Sequence, residues 1–121
     1  MAESDSLPDK LRAALHGLPA SAVAACEEFR ATGHRAAFDR AVTELVEYHL
    51  SPRPPRPLAT YPGSTAIVAD LGLDSITMVE LVFLFEAVFA VKIPQDKLIA
   101  VVTLDDLRNL LHAQLPPSGP A

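Results

Sequence analysis

Ten residues, Gly72-Leu73-Asp74-Ser75-Ile76-Thr77-Met78-Val79-Glu80-Leu81, hold the pattern with the most chemical content in this chain. A Gly and an acid lead into a lone Ser, and an apolar helical run follows at once. That order places the Ser75 hydroxyl in the first turn of a helix, with Asp74 able to cap it. Backbone N–H groups at a helix start lack intrahelical partners, and the macrodipole is positive there. A phosphate ester on Ser75 would be favoured without any Lys or Arg. Taken alone, Asp-Ser at a helix start is common, and a plain capping role would account for it.

Two other chemistries find little support. A nucleophilic Ser needs a base and a group that orients the base. His16, His34, His49 and His112 are scattered, and no Gly-x-Ser-x-Gly elbow exists. A small hydrolase is therefore disfavoured, and no catalytic residue is expected. No two His stand at metal-ligand spacing and Cys26 is single, so no metal site and no internal disulfide are expected. Cys26 reads as a small core residue, and His49 as a partly buried packing residue on an apolar stripe.

The elements that must position Ser75 are helical. Half the residues are hydrophobic but only 6% are aromatic, and the abundance of Ala and Leu favours helix over sheet. Ser6, Pro8 and Asp9 precede Leu11, Leu15 and Leu18 at helical spacing, with Gly17 and Pro19 as terminators. Ser21 is placed to cap a second helix with Val23, Cys26 and Phe29 on one face, ending near Gly33. A third helix is expected from about His34 to Leu50, with a stripe of Phe38, Val42, Leu45, Val46 and His49. Pro52-Arg53-Pro54-Pro55-Arg56-Pro57 then forbids helix and reads as a stiff spacer. A long connection leads to the Ser75 helix, which should end near Ala90. Pro94 to Leu98 suits a short helix or turn. Thr103 with Asp106 reads as a capping box ahead of Leu107, Leu110 and Leu111.

Asp70-Leu71-Gly72-Leu73-Asp74-Ser75, Val79-Glu80-Leu81, Phe89 and Ile93-Pro94 resemble the prosthetic-group region of acyl carrier proteins. Ile76 stands where that family's Asp-Ser-Leu motif has Leu. The resemblance needs no gap from Asp70 to Leu111, is weaker over residues 38–69, and does not extend to residues 1–36. It implies an all-α, acyl-carrier-like four-helix bundle with additional N-terminal helices: a helical extension over 1–36, a carrier domain over 37–114 and a disordered tail over 115–121. It also implies 4′-phosphopantetheine bound covalently to Ser75, with Asp74 contacting the transferase that installs it. The load would be an acyl or related group held as a thioester. Partners would be a phosphopantetheinyl transferase and acyl-loading or acyl-using enzymes such as ligases, ketosynthases or acyltransferases. The chain itself would not be an enzyme.

The docking side of the Ser75 helix would carry Ile76, Glu80, Phe83 and Ala87, with Leu84 beside them. Family members are typically more acidic here, and Thr77 and Ala87 stand where acids are common. The apolar character calls for cover by the N-terminal extension, a second copy or a partner enzyme. It also tilts the reading toward a specialised carrier in lipid, polyketide or secondary metabolism. The alternative is a helical interaction module that takes no cofactor.

Charge excludes other classes. Lys plus Arg is 10 against 15 for Asp plus Glu, a net −5. Residues 38–121 hold six basic and ten acidic residues, so the carrier part is −4. No basic cluster supports nucleic-acid binding. No apolar run is long enough for a membrane span, and the N-terminus lacks signal-peptide order. With the lone Cys26, these point to the cytoplasm. The expectation is a discrete or excised carrier, with the Met1 start favouring a stand-alone gene product.

Overall fold

The computed structural model describes residues 17–50 and 54–115. The expected helix around Leu11 and Leu15, most of the Pro-rich run's first half and the tail from Pro116 lie outside these residues. Five α-helices are present among the described residues: α1 (Ala20–Thr32), α2 (Arg35–Tyr48), α3 (Ser75–Phe89), α4 (Gln95–Ile99) and α5 (Leu104–Ala113). One 3-10 turn, Leu58–Thr60, lies in the long connection. The only extended pairing described is an isolated antiparallel bridge between Ala66 and Thr103. The chain is thus all-α, with α2 to α5 forming a carrier-like helical bundle and α1 added to it.

The helix starts follow local chemistry, with one correction. Ser21 does not cap α1. Pro19 stands at the cap, and its carbonyl accepts from the amides of Ala22 and Val23. Ser21 lies inside the first turn, where its Oγ donates to Glu44 Oε1 at 2.9 Å and ties α1 to α2. Gly33 closes α1 in the left-handed region, φ 72°, with its N–H on the Phe29 carbonyl. His34 is the N-cap of α2 rather than its first residue, and α2 ends at Tyr48, just short of the expected Leu50. The Thr103–Asp106 capping box is present in full: Asp106 N donates to Thr103 Oγ1, and Thr103 N donates to Asp106 Oδ2, both at 3.0 Å.

One core joins all these parts. Phe38, Val42, Leu45 and Val46 of α2, Leu81 and Phe85 of α3, and Leu104, Leu107 and Leu111 of α5 are fully buried. Ala22, Ala25 and Cys26 of α1 enter the same cluster. The Cys26 thiol is pushed up to about 11, chiefly by burial and further by the Glu27 carboxylate, so it remains a neutral packing group. Phe29 packs on Phe38 and Phe89, with ring centroids 5.0 and 6.0 Å away. Phe38 also meets Phe89 at 4.9 Å and the His112 ring at 5.3 Å.

These contacts fix direction. Phe38 near the start of α2 touches Phe89 and His112 near the ends of α3 and α5. Thr43 further along α2 meets Arg108 nearer the start of α5. The Leu73–Ile67 and Ile67–Val102 hydrogen bonds hold the start of α3 beside that of α5, so both helices run antiparallel to α2. Phe29–Phe38 and Ser21–Glu44 make α1 antiparallel to α2 as well. The starts of α1, α3 and α5 and the end of α2 consequently share one end of the bundle, the end that carries Ser75.

The long connection is built rather than loose. Leu58 is buried, Arg56 lies over the Tyr61 ring at 4.2 Å, and Thr65 Oγ1 donates to the Pro62 carbonyl at 2.6 Å. Ile67 N donates to Val102 O at 2.8 Å, Leu104 N to Thr65 O at 3.0 Å, and Asp105 N to Gly63 O at 3.0 Å. A side chain at Gly63 would run into the Asp105 carboxylate, which is itself held by Arg108 at 2.8 Å. Arg108 also donates to Thr43 Oγ1 at 3.0 Å, joining α5 to α2. Leu115, expected to open the tail, is half-buried against the core.

Candidate functional site

The approach to Ser75 is a hydrogen-bonded turn. Asp70 N and Leu71 N donate to Ala66 O, Gly72 N to Val68 O, and Leu73 N to Ile67 O at 3.3 Å. The Asp70 carboxylate accepts back from Ala66 N at 2.8 Å. Gly72 adopts φ 74°, a left-handed conformation that costs Gly little and other residues more. Leu73 is buried and anchors the turn, so Asp74 and Ser75 emerge exposed immediately after a fixed point.

Asp74 is the N-cap, as its position suggests. Its Oδ1 accepts from Thr77 N at 2.7 Å, and its carbonyl accepts from Met78 N at 3.0 Å. The Thr77 N–H holds the Asp74 carboxyl below its ordinary range, helped by the Thr77 side chain and the Ile76 N–H. Ser75 is the first residue of α3 and is exposed. Its Oγ sits beside the positive end of a 15-residue helix, with no lysine or arginine within the helix. This is a hydroxyl that an outside enzyme can reach, at a place where a phosphodiester charge is favoured. Among the described residues no group of His, Cys, Asp and Glu could hold a metal ion.

The two sides of α3 divide cleanly. Leu81, Phe85, Val88 and Phe89 face the core, and Met78 and Val82 pack partly against it. Ile76 and Phe83 are 72% and 66% exposed, and Glu80 is exposed beside them. Ala87 is half-buried. Leu84 is not part of the open face; it is half-buried against the core. The residue that was missed is Val79, 53% exposed. At about 100° per residue it lies about 60° from Ile76, so helical geometry could have found it. The N-terminal extension does not cover this face within the described residues, since α1 packs along α2 and against Phe89 instead. The other acid of α3, Glu86, turns inward and accepts from Ile93 N at 3.0 Å.

Comparison with known proteins gives the same region a family. Residues 62–111 match the family model described as a phosphopantetheine attachment site. Acyl carrier protein 3 of Ralstonia nicotianae is 36% identical over 64 residues, covering 53% of this chain and 74% of that protein. No solved structure matches at a comparable level. The family's cofactor is 4′-phosphopantetheine, and the exposed hydroxyl at a helix start within the matched residues fits such a group. Members of the family are carriers rather than catalysts, and this chain belongs to the acyl carrier protein family.

Proposed function

We propose that Ser75 carries the 4′-phosphopantetheine arm and that the chain presents acyl intermediates as thioesters to partner enzymes without catalysing a step itself. The observation that supports this most is the exposed Ser75 hydroxyl, held between buried Leu73 and the first turn of α3, inside the residues that match the attachment-site family. On modification, Ser75 Oγ would attack the pantetheine-bearing phosphorus of coenzyme A, forming the phosphodiester as the phosphoanhydride bond breaks; 3′,5′-adenosine bisphosphate would leave, and the Ser75 proton would pass to a base on the transferase. The amides of the first turn and the helix dipole would favour the new charge. Asp74, already committed to Thr77 N, would keep the turn in shape and contact the transferase. The distal thiol of the arm supplies the thioester chemistry.

Docking would use the exposed side of α3, through Ile76, Glu80 and Phe83, with Ala87 at its edge. Its apolar character supports a specialised carrier in lipid, polyketide or other secondary metabolism, served by a phosphopantetheinyl transferase and by ligases, ketosynthases or acyltransferases. No described helix is long and apolar enough to cross a membrane. We place its work in the cytoplasm, a reducing compartment that suits the unpaired thiol of Cys26.

The test is incubation with a broad-specificity phosphopantetheinyl transferase and coenzyme A, read by intact-protein mass. One prosthetic group should be added to the wild type and none to Ser75→Ala. Full labelling of Ser75→Ala would refute the assignment. No labelling of the folded wild type would favour an unmodified helical interaction module.

A further inference from the structure

Residues 66 and 70 grip each other in both directions. Asp70 N donates to Ala66 O at 3.0 Å, and Asp70 Oδ2 accepts from Ala66 N at 2.8 Å. Leu71 N also donates to Ala66 O at 3.2 Å, Gly72 N to Val68 O at 3.0 Å and Leu73 N to Ile67 O at 3.3 Å. The amides of residues 70 to 73 thus all end on the carbonyls of residues 66 to 68. Those carbonyls are in turn fixed from α5, because Ile67 N donates to Val102 O at 2.8 Å and Leu104 N to Thr65 O at 3.0 Å. From Ala66 to Leu73 the sequence reads Ala-Ile-Val-Ala-Asp-Leu-Gly-Leu, so Asp70 is the one residue of the turn whose side chain can make a hydrogen bond.

The turn has a direct bearing on Ser75. Asp74, Ser75 and Ile76 are exposed and Thr77 is only half-buried, so no core residue holds the first turn of α3. The first fully buried residue of α3 is Leu81. Helix ends fray unless something holds them. Apart from the Asp74 cap, the nearest anchor is buried Leu73, placed by the turn just before it. An attacking oxygen must meet its phosphorus in line, and a displacement of about 1 Å can cost about 100-fold in rate. Loosening of the turn therefore reaches the reacting atom without touching any partner.

We infer that Asp70 is a positioning residue for Ser75: its carboxylate, by accepting from Ala66 N, closes the turn that sets Leu73 and hence the direction of the Ser75 hydroxyl. This rests on the reading of Ser75 as the attachment residue. The turn needs the acceptor oxygen rather than the negative charge. Asp70→Asn keeps an acceptor oxygen and loses the charge, whereas Asp70→Ala loses both.

The test is single-turnover labelling of the full chain from coenzyme A, with a broad-specificity phosphopantetheinyl transferase in excess. The maximal rate constant and the half-saturating transferase concentration are read for each chain. Asp70→Ala should lower the maximal rate constant about tenfold or more, with the half-saturating concentration moved less than about twofold. Asp70→Asn should stay within about threefold of wild type in both. Thermal melts establish that the variants are folded at the assay temperature. Amide exchange of the wild type adds a reading that needs no variant, and the Ala66 N–H should be protected. Equal losses in Asp70→Asn and Asp70→Ala, or a change in half-saturation alone, would make Asp70 a charge that the transferase contacts and overturn the positioning role. Wild-type rates in Asp70→Ala, or Ala66 exchange as fast as in an open chain, overturn it too. Absence of any labelling of the wild type overturns the Ser75 reading itself, and the positioning role with it.

Discussion

At the scale of single residues, Asp74 and Asp106 link the site to stability. Both cap helices, and both carboxyls are held below their ordinary range, Asp74 mainly by Thr77 N–H and Asp106 mainly by the N–H groups of Val102 and Thr103. In the unfolded chain they regain a value of about 3.9. The unfolded state therefore binds more protons over the interval between the two values, and stability rises with pH there. The contribution is complete above about pH 5 and is lost as pH falls through the lowered folded values. Urea unfolding between about pH 5 and 2.5 should show this loss, and Asp74→Asn with Asp106→Asn should flatten it. An equally steep acid loss in the double variant would show that other groups carry it. These caps were legible in the sequence because a cap is decided within four residues. Ser21 was not, because Pro19 supplies a carbonyl at the same place and Glu44, 23 residues away, takes the Ser21 hydroxyl.

At the scale of elements, α3 is ordered at both ends by opposite means. Its start has a side-chain cap, whereas its end has Ala90 in the left-handed region at φ 56°. A Cβ is unfavourable there, and Gly is the residue that tolerates it best. Ala90→Gly should therefore raise the urea-unfolding free energy by about 0.5–1 kcal/mol, after allowing for the freer unfolded chain. A loss of stability would mean that packing of the Ala90 methyl outweighs the backbone term. At α5, Thr103→Ala removes the acceptor for Asp106 N and should cost about 1 kcal/mol. On the exposed side of α3, Phe83→Ala should weaken partner engagement more than Glu80→Gln. An aromatic anchor often contributes about 2 kcal/mol on truncation and an exposed ion pair about 0–1. Affinity that collapses in modest salt while Phe83→Ala is silent would reverse that order. Helix spans and core stripes here were readable from periodicity. Which apolar positions of α3 stay open was only partly readable, since nearly every side of the helix is apolar and burial of Leu84 is decided by its neighbours.

At the scale of the whole molecule, α1 is an integral wall of the bundle. Its Ala22, Ala25 and Cys26 are nearly inaccessible, and Phe29 closes the end of the core against Phe38 and Phe89. Phe29→Ala should lower stability by about 2 kcal/mol, less than for a fully buried Phe because Phe29 is only partly buried against the core. An unchanged unfolding midpoint would mean that α1 is only loosely attached. The sequence indicated that this segment needs burial. It did not indicate where, because small Ala residues that let two helices approach give no directional signal. Among the described residues, Phe29 of α1 closes the end of the bundle away from Ser75, and nothing covers Ile76, Val79 and Phe83 beside Ser75. The most direct measurement is fragment-ion mass spectrometry of the wild-type chain after treatment with transferase and coenzyme A. The prosthetic group should be found on Ser75 alone, with Ser64, Thr65 and Thr77 unmodified. A group located on any of those three residues, or none on Ser75, would contradict the central claim.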